Sequence, residues 1–270
     1  QMIRGISFTG SRETGEHILK NAGVKKIGLE LGGKNAVIIM DDANIDLAVD
    51  GVVWGAFGTT GQRCTSASRV VVHEKIKNVF EKKLLSRVKN LRVGEGIHHD
   101  IGPLINSKAV EKSLRYVQIG IEEGAKLLCG GKSLKINGCG FFFQPTIFAD
   151  CKHDMRICQD EIFGPVLSII PAKNFGEAIR VANSVSYGLS SAIYTSDIQK
   201  AFNAVQKLEA GLTYVNSSTI GSEVHLPFGG VKGTGNGTRE AGIYGIDEFS
   251  EIKTIYFDYS GKLQKATIDD

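Results

Sequence analysis

Cysteine is scarce and irregularly placed in this chain. Its five copies, Cys64, Cys129, Cys139, Cys151 and Cys158, are odd in number and form no C-x-x-C pair. That argues against a disulfide scaffold and for a reducing compartment, so a cytoplasmic protein is the expectation. The six histidines show no H-x-x-x-H spacing, and no metal site is expected. No apolar run approaches the ~18 residues that a membrane span needs, and the opening QMIRGISFTG lacks a signal-peptide layout. One-sided charge is missing too. The 32 basic and 29 acidic side chains leave a net charge of +3 spread along the chain, with no field that would select nucleic acid or an anionic membrane as partner. The sequence also lacks internal repeats and low-complexity linkers. It opens on Gln1 with a strand-like run, Ile3 to Phe8, close behind, which reads as a fragment of a larger protein.

What is present is an alternation of apolar runs and amphipathic stretches. Ile3 to Phe8 leads through TGSRETG into a helical stretch around 12–22, half of a nucleotide-type βα unit. Strands are predicted at 35–40, 69–73, 126–129, 166–170, 192–195, 213–216 and 254–259. Helices are predicted after Asp42 or Asn44, over 77–92, near 107–123, over 178–184 begun by Asn174, and from a Ser196 capping box through Leu208. The Lys-rich run 77–92 carries Val79, Phe80, Leu84, Val88 and Leu91 at helical spacing, so its charges are the wet side of a helix. GKSLKINGCG reads as a Gly-rich turn. The class is therefore α/β with a largely parallel sheet. The final strand, 254–259, has no sequence neighbour to pair with and is expected to pair with another subunit.

The stretch GQRCT (61–65) raises the chemical question. A cysteine is commonly a small core hydrophobe. The surroundings of Cys64, TTGQRCTS, are instead small and polar, with Gly61 three residues before the sulfur and Arg63 adjacent, as a nucleophilic thiol requires. Attack on a carbonyl would create an oxyanion, for which the backbone N–H of the nucleophile is a common donor. Releasing a thioester would then need a general base. Glu30, in GLELGGKN, is a candidate; a structural Glu paired to Lys34 is the alternative. TGSRETG places Gly10 and Ser11 where a phosphate could meet N–H and O–H groups. GGVKGTGNG does not follow the GxxxxGK[ST] order of a phosphate loop.

Taken together, FTGSRETG (8–15), LELGGKN (29–35), GQRC (61–64), DEIFGPV (160–166) and PFGGVKGTGNGTREAG (227–242) resemble the NAD(P)-dependent aldehyde dehydrogenase superfamily, in its order and with its 34-residue spacing from Glu30 to Cys64. The resemblance implies that Cys64 is the catalytic nucleophile and Glu30 the base that activates the deacylating water. It sets Gly10 and Ser11 beside the cofactor pyrophosphate, Leu31 and Gly32 near the nicotinamide through their backbone, Glu161 on the nicotinamide ribose, Phe163 near that ring, and Phe228 near the substrate channel. The cofactor implied is NAD or NADP and the substrate an aldehyde.

Because the family's N-terminal half does not precede Gln1, the implied organisation is a remnant of the dinucleotide-binding domain (1–30), a catalytic domain (31–215), a return segment to the cofactor domain (216–248) and an oligomerisation tail (249–270). The assembly implied is a homo-oligomer, dimer or tetramer. The fragment by itself is expected to bind cofactor poorly and to be inactive in oxidation, leaving a cofactor-independent esterase using Cys64, or a non-enzymatic assembly module, as alternatives. EVHLPFGG resembles a branch that includes oxidisers of semialdehydes and sugar-derived aldehydes. Arg63 and His225 are either near the channel mouth or simply on the surface.

Overall fold

A computed structural model describes residues 3–263 apart from residue 137. Two parallel strands, β1 (Gly5–Thr9) and β2 (Lys26–Glu30), are joined by helix α1 (Arg12–Asn21) and form a small sheet of their own. Helix α1 begins where it does because Ser11 is extended and its hydroxyl accepts the Thr14 N–H at 3.3 Å. The chain then enters the main layer through β3 (Asn35–Ile39), α2 (Ile45–Phe57), β4 (Ala67–His73), α3 (Lys77–Lys89), α4 (Ser107–Glu122) and β5 (Lys126–Cys129). A hairpin follows, β6 (Ser133–Ile136) and β7 (Cys139–Phe143). After it come β8 (Thr146–Ala149), the single turn α5 (Arg156–Gln159), β9 (Val166–Ala172) and α6 (Phe175–Asn183). The last elements are β10 (Tyr187–Gly188), β11 (Ser190–Tyr194), α7 (Ile198–Lys207), β12 (Leu212–Val215), β13 (Val231–Lys232) and α8 (Gly242–Glu248).

Seven strands make the main sheet in the order β12-β11-β3-β4-β9-β8-β5, parallel throughout except for β5, which runs antiparallel to β8. Parallel strands need crossovers, and the crossovers cover both faces. Hence the central strands read as continuous apolar runs, and every residue of NAVII in β3 is buried. Alternate side chains divide between two cores. Val37, Ile39, Val70 and Val72 pack with α2 and α3 on one face, while Ile38, Val71, Ile170 and Ile193 pack with α4, α5 and α6 on the other. In α3 the buried residues are Phe80, Leu84 and Val88, four apart, and its charges lie outside as the sequence pattern requires.

One open alternative is resolved and three expectations are corrected. Asn44, not Asp42, caps α2 by accepting the Leu47 N–H at 3.2 Å. Asp42 is occupied by the Thr195 hydroxyl and the Asp197 N–H. Asp197, not Ser196, caps α7, accepting from Gln199 and Lys200, because the Ser196 hydroxyl is spent on the Asp42 carbonyl at 2.7 Å. GKSLKINGCG is the hairpin β6/β7 rather than a turn. Residues 254–259 form no strand and are exposed, since among the described residues no strand lies beside them to satisfy their backbone. The remainder of the tail from 264 lies outside the described residues.

Candidate active site

The loop after α2 reverses the chain through two left-handed residues, Thr60 (φ 58°) and Gly61 (φ 67°). Gly61 is demanded twice over, by that φ and by the Gly164 carbonyl oxygen, which would stand 2.1 Å from any Cβ. A tight turn follows. The Ser66 N–H reaches the Arg63 carbonyl at 3.0 Å, and the Arg63 N–H reaches the Ser66 hydroxyl at 3.1 Å. Gln62 braces it by donating to the Pro103 carbonyl at 3.2 Å and accepting from the Ile105 N–H at 2.9 Å. From β3 the buried Asn35 side chain donates to the carbonyls of Cys64 (2.7 Å) and Ser66 (2.9 Å), and accepts the Ser190 N–H of β11 at 2.9 Å. The cysteine turn is thereby fastened to two strands of the main sheet.

So held, Cys64 is half-buried and lines a cleft of about 730 Å³. Gly10, Ser11, Leu31, Gly32, Glu161, Phe163 and Phe228 line the same cleft. The Cys64 sulfur lies near its own N–H and that of Thr65, both of which favour the thiolate. Burial, then the Glu161 and Glu30 carboxylates, outweigh them and push the thiol up to about 11.

Glu30 sits one residue back from that lining. It ends β2 at 2 % exposure, and neither carboxylate oxygen has a hydrogen-bond partner among the described residues. The group is turned toward the loop after Phe228, so that a Cβ on Gly229 would come within 2.6 Å of its Oε1. Glu30 is not among the residues lining the cleft, although its charge is one of those raising the Cys64 thiol. Burial first, then Glu240, with Arg239 opposing and Glu248 adding, raise its pKa from 4.5 to about 8. The alternative pairing with Lys34 is not formed, for the Lys34 ammonium is itself buried without a hydrogen-bond partner among the described residues.

Glu161 accepts the Gly33 N–H at 2.9 Å, and its Oε2 would stand 2.3 Å from a Cβ on Gly32. The two glycines of LELGGKN are therefore the floor on which this carboxylate rests. Gly33 also runs so close to the Cys64 carbonyl that a Cβ there would meet its oxygen at 2.3 Å. Phe163 takes a left-handed φ of 59°, unusual for a bulky residue, and stays 42 % exposed on the cleft wall. Gly10 donates its N–H to the Glu30 carbonyl at 3.0 Å, while the Ser11 hydroxyl is engaged as the α1 cap. Phe228 is held by a two-bond bridge with Glu240, at 2.6 and 2.7 Å. Arg63 lines the cleft; His225 is exposed and does not.

Three contributors escaped the sequence reading. Lys112 of α4 lines the cleft, half-buried, with the Glu161 carboxylate the chief charge favouring its ammonium. Nothing but its place in an amphipathic helix marked it. Asn35 read only as the first residue of a strand. Arg69, 1 % exposed, donates twice to the Lys34 carbonyl (3.1 and 2.9 Å) and to the carbonyls of Val181 and Ala182 (3.0 and 2.8 Å), tying β4 to the 31–34 turn and to α6.

Comparison with known proteins bears on this geometry. Residues 1–255 match the profile of the Aldehyde dehydrogenase family. An alpha-ketoglutarate semialdehyde dehydrogenase of Haloferax volcanii is 42% identical over 94% of this chain and 54% of its own length. A 2,5-dioxopentanoate dehydrogenase of Saccharolobus solfataricus is 43% identical over the same shares. Among solved structures, betaine aldehyde dehydrogenase from Staphylococcus aureus in complex with NAD+ superposes with a TM-score of 0.88 at 39% identity, over 92% of this chain and 50% of that one. An NAD-dependent aldehyde dehydrogenase from Sinorhizobium meliloti reaches 0.93 at 35% identity, over 98% and 53%. The chain spans about half the length of the curated relatives it matches. With the family profile covering nearly all of it, the chain belongs to the aldehyde dehydrogenase family.

Proposed function

We propose that this chain carries the catalytic portion of an enzyme that oxidises an aldehyde to a carboxylic acid, with NAD or NADP as hydride acceptor. The observation that carries the reading is Cys64, clamped by Asn35 on the wall of the cleft, with Glu161 on the same lining and a buried, unpartnered Glu30 one residue behind it. The sulfur bonds to the aldehyde carbon, and the oxygen takes the negative charge beside the N–H groups of Cys64 and Thr65. Loss of hydride from that carbon leaves a thioester on Cys64. Glu30, once turned toward the cleft, takes a proton from the water that cleaves it, returning the thiol and the acid.

The residues present fit a nicotinamide dinucleotide. Thr9, Gly10 and Ser11 line the cleft at the N-terminus of the ten-residue α1, where N–H groups favour phosphate. Glu161 and Lys112 supply a carboxylate and an ammonium for ribose hydroxyls, with Leu31, Gly32 and Phe163 beside the ring. When bound, the nucleotide would supply the hydride acceptor. Phe228 and the exposed Arg63 border the substrate's path, and we place the substrate among aldehydes that carry a carboxylate. The names of the Haloferax and Saccharolobus relatives agree with that class.

In this reading residues 1–30 belong to the cofactor domain, 31–215 to the catalytic domain, 216–248 return to the first, and 249–270 form an oligomerisation tail of a dimer or tetramer. The return is supported by Asn236, which accepts the Leu29 N–H at 3.1 Å and donates to the Ile27 carbonyl at 2.6 Å. The tail leaves Ile252, Tyr256, Phe257 and Tyr259 exposed.

The test uses the 270-residue polypeptide in two assays. NAD(P)H formation should be undetectable with it alone and should appear when the half of the family's length that it does not span is supplied. Hydrolysis of p-nitrophenyl acetate should need no cofactor and should vanish in Cys64→Ser. Undiminished hydrolysis by that variant would remove Cys64 as the nucleophile.

A further inference from the structure

Two side chains on the wall of the cleft are nucleophiles stronger than a hydroxyl. Among the described residues that line it, Cys64 supplies a thiol and Lys112 an amine, while the Arg63 guanidinium keeps its charge. The two come from walls that are packed on one loop. A Cβ on Gly164 would meet the Ser113 hydroxyl of α4 at 2.6 Å, and the Gly164 carbonyl oxygen closes on Gly61 at 2.1 Å from where its Cβ would be. Lys112 leaves α4 one residue before the first contact, and Cys64 follows the second by three. In the same loop Glu161 accepts the Gly33 N–H at 2.9 Å, and Gly33 abuts the Cys64 carbonyl. Helix, loop and cysteine turn are thereby stacked, with the thiol and the amine turned to one cavity of about 730 Å³.

Lys112 is half-buried and forms no ion pair among the described residues. Burial lowers its pKa against the pull of Glu161, with Arg115 assisting and Asp160 opposing, so a larger share of it is free amine than on the surface. Glu30, the base that would direct water at an acyl group on Cys64, is not on the lining. An acyl group held on the sulfur therefore shares its cavity with a competing nucleophile, and confinement favours the transfer between them.

We propose that Lys112 is a self-acylation site, taking across the cleft an acyl group first placed on Cys64 by an activated ester. The inference rests on Cys64 being the nucleophile of the proposed function. The Cys64 thiolate attacks the ester carbonyl, so that a C–S bond forms, the C–O bond breaks and the alkoxide or phenoxide leaves. The neutral Lys112 amine then attacks the thioester carbonyl. A C–N bond forms, the C–S bond breaks, and the nitrogen's surplus proton goes to the departing sulfur, which regains its thiol. No electron is exchanged with an outside reagent. The shift occurs once in each chain, after which Cys64 turns over through water alone. Its product is a neutral amide, so the ammonium placed above against ribose hydroxyls is lost with it.

The experiment mixes the 270-residue chain with p-nitrophenyl acetate and quenches samples at intervals. Each is split, one half treated with neutral hydroxylamine in denaturant, and tryptic peptides are mapped by mass spectrometry. Hydroxylamine cleaves a thioester and spares an amide. The expected result is an early, hydroxylamine-labile acetyl on Cys64 that gives way to a hydroxylamine-stable acetyl on Lys112, read as peptide 109–115 left uncut and one acetyl group heavier. In Cys64→Ala, Lys112 acetylation should fall to the level of an exposed lysine such as Lys82. The same fall is expected in wild type whose Cys64 was first alkylated by iodoacetamide, a control that needs no variant to fold. An acetyl that leaves Cys64 only to water, with Lys112 no more acetylated than Lys82, would overturn the proposal and keep the nucleophile. Undiminished Lys112 acetylation with Cys64 blocked would show direct attack on the ester and overturn it too. No acetyl on Cys64 at any time would overturn both this proposal and the role of Cys64.

Discussion

Replacing Glu30 by Gln should flatten the alkaline side of the stability curve. A buried carboxyl whose pKa is higher in the folded chain than in the unfolded one stabilises the fold below the unfolded value. That contribution is lost as pH rises through the folded value. For Glu30 the shift from 4.5 to about 8 corresponds to about 5 kcal/mol between the two protonation states, at ~1.36 kcal/mol for each tenfold step. Not all of it falls in an accessible window. Between about pH 5 and about pH 9 the linkage relation assigns this one group a loss of about 4 kcal/mol. Gln is isosteric and does not ionise. Its buried amide carries a cost of its own, but that cost is the same at every pH and cancels when slopes are compared. Urea unfolding followed by circular dichroism at several pH values gives the comparison through the midpoints. Wild type should lose stability toward pH 9 and E30Q should lose several kcal/mol less between pH 5 and pH 9, whatever constant offset the amide adds. Parallel curves would show that the Glu30 carboxylate is hydrated in the folded chain, and the argument from its burial would fail.

Other consequences can be measured on the same polypeptide. Alkylation of Cys64 by iodoacetamide should accelerate with pH toward the thiol's displaced pKa of about 11, and Glu161→Gln should shift the profile to lower pH by removing the larger of the two opposing carboxylates; an unshifted profile in E161Q would contradict the assigned cause. Asn35→Ala strands the Cys64 and Ser66 carbonyls and the Ser190 N–H, so it should cost about 1–3 kcal/mol in unfolding and slow p-nitrophenyl acetate hydrolysis, with a variant of wild-type stability counting against the clamp.

The layered architecture was legible because periodicity is dictated by burial. NAVII and VLSII are buried at every position, with only Asn35 and Ser168 polar among them, since both of their faces are covered, and the 77–92 run repeats its large apolar residues every fourth position since only one face is. Caps were less legible. Asp42, Asn44, Ser196 and Asp197 are all competent acceptors, and which one caps a helix was decided by a contact between α2's entry and α7's entry, 153 residues apart in sequence, between Asp42 and Thr195. The site was legible through short motifs wherever backbone crowding demands glycine, as at Gly32 beneath Glu161 and at Gly61 against Gly164. Lys112, Asn35 and Arg69 left no such mark, because a lysine on a helix and polar residues at strand starts are ordinary locally and acquire meaning only from what the sheet brings next to them. The orientation of Glu30 was illegible for the same reason, since its neighbours Gly229, Arg239 and Glu240 lie some two hundred residues downstream.

The fastening of the cysteine turn by Asn35 separates two problems that an enzyme designer would otherwise have to solve together. The sulfur's coordinates are fixed from beneath, by an amide rooted in β3 and β11, whereas Phe228 lines the cleft from a distant segment and the neighbouring Arg63 turns an exposed side chain to it. On the proposed reading, those two side chains can be recut for a bulkier or oppositely charged aldehyde while the sulfur stays where it was, and libraries confined to them should retain wild-type thiol reactivity even when their preferred substrate changes.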